Sequence, residues 1–364
     1  MTADATPESA GPPEGFEAHR PLHRFTSLEL GGRARYFAEV NDLETAVAAL
    51  EWAAAEGQPV QIVAGGSNLV VADAGFDGLA LKINLHGVTI RREGERAMVT
   101  AAAGEDWDTL VERVVGEGFA GVECLSGIPG TVGATPIQNV GAYGQEVASV
   151  IQCVEALNLA TLQSHTMCSQ DCGFGYRDSL FRRHPERWMV LAVTFALEPG
   201  GEPTLAYREL RELLAVSGSA PDLPRVRSAV LELRRGKSMV LDPDDPNRRS
   251  VGSFFVNPVL DDAALAALEA AVAGTVPSYE IDGSHKVPAA WLIEQAGFHR
   301  GLSRGHVGIS SNHTLALVHH GGGTTKELLD LAREIRDGVR QRFGIELRPE
   351  PVFVGFDSAN PLDL

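Results

Sequence analysis

Three short polar clusters in this chain have residue types and spacings that could do chemistry on an anion. The first is Gly175-Tyr176-Arg177-Asp178-Ser179. Its arginine can offer a fork of N–H groups to a carboxylate, or simply pair with Asp178 in a turn. The second is Gly252-Ser253-Phe254-Phe255-Val256-Asn257-Pro258, where a hydroxyl lies between a glycine and two aromatics. That hydroxyl either sits in a dry pocket or is one satisfied serine of a strand. The third is Arg348-Pro349-Glu350-Pro351, a carboxylate whose backbone is fixed by a proline on each side. Taken alone, Glu350 reads as a surface acid.

Two further segments can act through their backbone. Residues 126–146, SGIPGTVGATPIQNVGAYGQE, hold five glycines and no charged side chain before Glu146. The run is too apolar for a linker and too glycine-rich for a regular helix or strand. Such a segment brings N–H groups close to a ligand with no side chains in the way. Residues 59–73, PVQIVAGGSNLVVAD, read as strand, Gly-Gly-Ser-Asn turn, strand. Two backbone-lined loops of this kind suggest a diphosphate ligand.

Other signatures fail. Gly236-Lys237-Ser238 resembles the end of a phosphate-binding P-loop, but Leu231 stands where that motif needs glycine. No G-x-G-x-x-G opens a helix after a strand, and no G-x-S-x-G elbow is present. His319-His320, followed by three glycines, reads as a loop rather than a metal site. His165, Cys168 and Cys172 lack zinc-site spacing, and the four cysteines read as reduced thiols of a cytoplasmic protein, so no metal is expected. A net charge of −17 with no basic block argues against nucleic acid as a partner. No apolar run approaches the ~18–20 residues that span a bilayer, so no membrane partner is expected either.

Behind these clusters, 364 residues imply two or three domains. Residues 1–18, acidic and proline-bearing, read as a disordered tail. Helices are expected over 41–57, 107–115, 261–273, 287–296 and from Thr325 to Phe343, and strands over 59–72, 79–83, 147–160, 188–198, 314–319 and near the C-terminus. Domain boundaries are placed near 86–96, where the sequence becomes charged, and near 215–225, where prolines and charges gather. This gives subdomains over 19–85 (joined by a returning strand in 345–364) and 86–220, then a substrate domain over 221–344.

In order along the chain, AGGSNLVV, the 126–146 segment, FGYRDS, GSFFVNP, AAWLIEQAG and LRPEPVFVG resemble the UDP-N-acetylenolpyruvoylglucosamine reductase family of flavoenzymes. The resemblance runs from about Phe25 to the C-terminus and implies an α+β protein. An FAD-binding fold of the vanillyl-alcohol-oxidase type, made of two α/β subdomains, would be followed by a C-terminal α+β substrate domain. It implies FAD contacts at Gly65, Gly66, Ser67, Asn68 and Leu69 in the first loop, and at Gly127, Gly133, Ala134 and Gly141 in the second. Neither loop has a histidine of the kind that tethers flavin in some relatives, so the FAD is expected to be non-covalent.

The same resemblance implies that Ser253 is the proton donor, Arg177 the carboxylate-binding arginine and Glu350 their acidic partner. NADPH would reduce FAD and leave. Hydride from flavin N5 would then add to the vinyl CH2 of UDP-N-acetylglucosamine enolpyruvate, giving UDP-N-acetylmuramate for peptidoglycan precursors. Tyr207 in LAYREL resembles the mobile-loop tyrosine of one subgroup. Arg234, Lys237, Asn257 and Gln295 fall where substrate contacts are implied, and a cytoplasmic monomer fits the family. The alternatives are another flavin oxidase or dehydrogenase on this scaffold, and a non-catalytic nucleotide-sugar binding protein.

Overall fold

The computed structural model describes residues 12–215 and 220–363. Residues 1–11 of the expected tail lie outside them. Glu17 and Ala18, also assigned to that tail, instead open the first strand, Glu17–Pro21, opposite Phe37 and Tyr36.

The first sheet has the order Glu17–Pro21, Arg33–Val40, Phe76–Ile83, Val60–Val63, with its last two pairings parallel. The helix Leu43–Ala55 covers it, capped by Asp42, whose carboxylate accepts from the Thr45 N–H at 2.7 Å. The second sheet is antiparallel, ordered Ser164–Cys168, Ile151–Asn158, Trp188–Pro199, Arg96–Ala102, Val88–Glu93. The last two strands form a hairpin over the stretch expected to be a domain boundary. Thr89 and Arg91 lie on the open face, while Val99 and Ala101 enter the core and Arg92, at the end of that inner face, lies over the Phe119 ring. One apolar core runs through both sheets, from Leu79 and Leu81 to Trp107, Val193 and Phe195.

The helix Leu223–Gly236 is a second departure. Its sequence reads as a boundary because of Pro224 and many charges, yet proline is tolerated in the first helical turn, and Asp222 caps it. It packs Val226, Ala229 and Val230 against Cys124 and Leu210, and Arg227 forks onto Asp108 of the helix Trp107–Gly116. It thus packs on the helix Trp107–Gly116 and around Cys124 and Leu210.

The C-terminal domain holds the sheet Ser250–Ser253, Ala316–His319, Val307–Ile309, Ser303–Arg304 against the long helix Thr325–Phe343. His319 closes the strand Ala316–His319, within the strand expected over 314–319, and the loop reading of the histidine pair holds only from His320 on. The His319 Nδ1 donates to Leu28 O at 3.0 Å and its Nε2 accepts from the Gly323 N–H at 3.1 Å. The helix is capped from two sides. Thr324 and Glu327 form a capping box, and Asp73 of the first domain accepts from the Thr325 and Lys326 N–H groups at 2.8 and 2.9 Å. A returning strand, Val352–Val354, pairs in parallel with Leu69–Val71. The chain end thus brings Glu350 beside the first glycine loop.

Candidate active site

Backbone geometry assembles the three polar clusters around one cavity of about 300 Å³. Phe255 bridges Pro349, the Glu350 N–H donates to Phe254 O at 2.9 Å, and the Val256 N–H donates to Arg348 O at 3.0 Å. This short antiparallel contact sets Ser253 beside Glu350. Gly252, at φ 72°, makes the turn that a side chain would resist. Arg177 arrives from the second domain, itself held in the left-handed region at φ 54°. Its Nη2 donates to Gly141 O at 2.7 Å, and its Nε lies 3.2 Å from Glu350 Oε1. Tyr143 and Ser238, which also line the cavity, have φ 50° and 55°. Non-glycine residues pay about 1–3 kcal/mol for such conformations, which persist where the surroundings dictate the aim of a side chain.

Burial pushes the Glu350 carboxyl above its ordinary range, although the Arg177 and Arg182 guanidiniums pull it the other way. The acid is thereby biased toward its protonated form beside a fixed cation. The opposite wall is cationic. Arg234 is buried, donates from Nη2 to Met239 O at 2.6 Å, and leaves its Nε with no partner among the described residues. The Lys237 ammonium sits 5.9 and 6.0 Å from the ring centres of Tyr143 and Tyr207 and is paired with Glu209 at 2.6 Å. Burial, then the cations Lys237 and Arg300, push His313 down to about 4, so its imidazole is neutral at physiological pH. This wall can receive a phosphate-bearing ligand, while the Arg177–Glu350–Ser253 wall can receive a carboxylate and a proton.

Nine of the sequence-predicted residues line the cavity: Ser67, Asn68, Gly141, Arg177, Tyr207, Arg234, Lys237, Ser253 and Glu350. Asn257 and Gln295 do not. Asn257 accepts from the Ala289 N–H at 2.9 Å, and Gln295 closes the helix that begins at Ala289. Sequence reasoning missed Tyr143, His313 and Arg248. Tyr143 lay inside the glycine segment and could have been singled out, whereas His313 and Arg248 belong to no pattern.

The two glycine loops meet behind this cavity. Ser67 Oγ donates to Pro129 O at 2.9 Å, and Asn68 Nδ2 donates to Gln138 Oε1 at 3.0 Å. A Cβ on Gly65 would lie 2.6 Å from Gly130 Cα, and one on Gly66 would lie 1.7 Å from Phe25 O. The N–H groups of Gly65, Gly66, Ser67 and Asn68 have no acceptor among the described residues. Thr131 Oγ1, buried at the same junction, has no partner there either. Unpaired donors around glycines that admit close approach fit the diphosphate of a dinucleotide such as FAD. Gly127, Gly133 and Ala134 differ, because their N–H groups already donate to Asp108 Oδ1, Ala103 O and Thr131 O. Leu69 belongs to the strand paired with Val352. These four can shape a ligand site, but the three donors of the second loop are already used.

Two family models match the chain. One described as "UDP-N-acetylenolpyruvoylglucosamine reductase, C-terminal domain" matches residues 244–354, and one described as "FAD binding domain" matches residues 34–166. The chain is 45% identical to a UDP-N-acetylenolpyruvoylglucosamine reductase of Saccharopolyspora erythraea, covering 97% of this chain and 98% of that protein. It is 46% identical to one from Salinispora arenicola, with 97% of each chain covered. Among solved structures, the Thermus caldophilus reductase superposes with a TM-score of 0.62 at 24% identity, over 93% of this chain and 98% of that one, which speaks for the fold. Likeness of this extent covers both the domain that carries the glycine loops and the one that carries Ser253. The chain belongs to the UDP-N-acetylenolpyruvoylglucosamine reductase family and is an FAD-binding oxidoreductase.

Proposed function

We propose that this enzyme reduces UDP-N-acetylglucosamine enolpyruvate to UDP-N-acetylmuramate at the expense of NADPH, as a cytoplasmic monomer serving peptidoglycan precursor synthesis. The names of its relatives support the reaction. The observation that carries it to residues is the convergence of Arg177, Glu350 and Ser253 on one wall of a cavity whose other wall is cationic.

Non-covalent FAD, held by the loops around Gly65 and Gly130, supplies two-electron hydride chemistry when bound. The chain's own residues do the rest. Arg177 grips the enolpyruvyl carboxylate and neutralises charge that builds there as the double bond is reduced. Glu350, biased toward its acid form by burial, donates a hydrogen bond to the same oxygens. Ser253 gives its proton to the carbon next to the carboxylate, a centre basic enough in the enolate for a positioned hydroxyl to serve. Lys237 and Arg234 hold the diphosphate, and Tyr207 packs on the nucleotide, as in the subgroup with a tyrosine-bearing loop. Asn257 and Gln295 act as positioning residues through the helix Ala289–Gln295, whose first N–H donates to Asn257.

An anaerobic absorbance trace near the flavin band tests the reading. NADPH should bleach the band, and the enolpyruvyl sugar nucleotide should restore it. Bleaching that only air reverses would overturn the substrate assignment and favour an oxidase.

A further inference from the structure

The edge hairpin formed by Ile151–Asn158 and Ser164–Cys168 carries two thiols outside the cavity. Cys153 and Cys168 are direct cross-strand partners. The bonds flanking them define the kind of pair. The Ser169 N–H donates to Gln152 O at 3.2 Å, and the Asn158 N–H donates to Gln163 O at 2.9 Å. Both are hydrogen-bonded pairs, and the two kinds alternate along an antiparallel ladder. The pair next to Gln152 and Ser169 is therefore non-hydrogen-bonded. Accordingly, the Cys168 N–H donates to Asp171 Oδ2 at 3.1 Å instead of to its strand partner. Pairs of this kind hold their Cα atoms about 4.5 Å apart with side chains on one face, inside the ~4.4–6.8 Å that a disulfide spans.

Access favours the same two residues. Cys168 is exposed and Cys153 half-buried, on the face shared with the exposed Glu155 and Thr166. The other two thiols are withdrawn. Cys124 and Cys172 are buried, donate to Thr204 O and Cys168 O at 3.3 and 3.4 Å, and are pushed up to about 12 by burial.

We propose that Cys153 and Cys168 form a reversible dithiol–disulfide site whose reaction partner is a low-molecular-weight disulfide. The Cys168 thiolate attacks one sulfur of the small disulfide and expels the other as a thiolate. The Cys153 thiolate then attacks Cys168 Sγ, forms the Cys153–Cys168 bond and expels the second thiolate. Two protein thiols lose two electrons and two protons, and the small disulfide leaves as two thiols. The bridge removes the Cys168 Sγ–H bond to Asp171, 2.9 Å long, at the turn that leads toward Arg177.

The test treats the FAD-loaded full chain with oxidised glutathione, followed by alkylation and peptide mass mapping. The expected product is a 153–168 cross-linked peptide with a mass loss of about 2 Da, reversed by dithiothreitol. Cys153→Ser should instead trap one glutathione on Cys168, and Cys168→Ser should give no cross-link. A glutathione adduct on Cys168 that persists in the wild type, a 168–172 cross-link, or no reaction at either thiol would each overturn the proposal. Unchanged flavin absorbance and circular dichroism in both variants would show that the fold is intact.

Discussion

Gly65→Ala tests whether the meeting of the two glycine loops holds the flavin. Gly65 lies outside the left-handed region, so alanine adds no backbone strain, and the whole effect is contact. Its Cβ would stand 2.6 Å from Gly130 Cα, 3.0 Å from Gly130 C and 3.2 Å from Thr131 N. Carbon atoms rest at about 3.5–4.0 Å, so the loops must part by roughly 1 Å. The two bonds across the junction, from Ser67 to Pro129 and from Asn68 to Gln138, would stretch out of range. At about 0.5–1.5 kcal/mol each, their loss costs about 1–3 kcal/mol. If FAD binding must rebuild the junction, its Kd rises about 5- to 150-fold. Flavin fluorescence quenching during titration of the apoprotein measures this. Gly118→Ala is the control. That glycine has φ 77° with nothing within 4 Å of its Cβ, so alanine should cost about 1–2 kcal/mol of stability and leave FAD affinity unchanged. Wild-type affinity in the Gly65 variant would refute the reasoning, because the loops would then be free to separate without consequence.

Ser253→Ala should keep flavin bleaching by NADPH while losing turnover with the sugar nucleotide by about 10²–10⁴-fold, the usual worth of a positioned proton donor; near-normal turnover would remove Ser253 from the proton step. Glu350 should couple stability to pH. Its folded value is raised, so its contribution is complete below the unfolded value of about 4.3 and is lost as pH rises through the folded one. The Tm of Glu350→Gln should therefore gain on the wild type as pH rises across that window, and parallel profiles would contradict the burial argument. Asp108 has the opposite sign. Burial raises it, but the bonds from Arg227 and the Gly127 N–H more than offset this and leave it lowered. Arg227→Ala should cost about 1.5–3 kcal/mol at neutral pH in urea unfolding. The gap should narrow as pH falls below about 3.9 and through the folded value of Asp108, and a pH-independent gap would argue that only packing was lost.

Local rules made much of the chain legible. The helix Thr325–Phe343 has its expected limits because Thr324 and Glu327 mark its start, Gly344 its end, and Leu328, Leu331, Ile335 and Val339 its buried stripe. The glycine loops were legible because glycine is needed wherever backbones touch, as at Gly65 and Gly130. The hairpin Val88–Glu93 and Arg96–Ala102 was not, since one face is open to water and its charges mimic a linker. The helix Leu223–Gly236 was hidden by a proline that its first turn tolerates. Within the site, the clusters around Arg177, Ser253 and Glu350 could be found separately. Their meeting could not, because it depends on long-range strand pairing.

That meeting has a local cause in the prolines around Glu350. Between Arg348 and Val352, Pro349 and Pro351 lack an N–H, so only Glu350 has a donor to offer the facing segment. It gives that donor to Phe254 O, while the Val256 N–H bonds Arg348 O on the other side. A slip of one residue would set a proline opposite Phe254 O and leave that buried carbonyl without its donor, at a cost of about 1–3 kcal/mol. It would also turn the Glu350 side chain to the opposite face, since neighbouring residues of an extended strand alternate. The prolines therefore do more than stiffen the segment. They leave one register in which the carboxylate faces the cavity beside Ser253 and within reach of Arg177, which is the geometry that the proposed protonation requires.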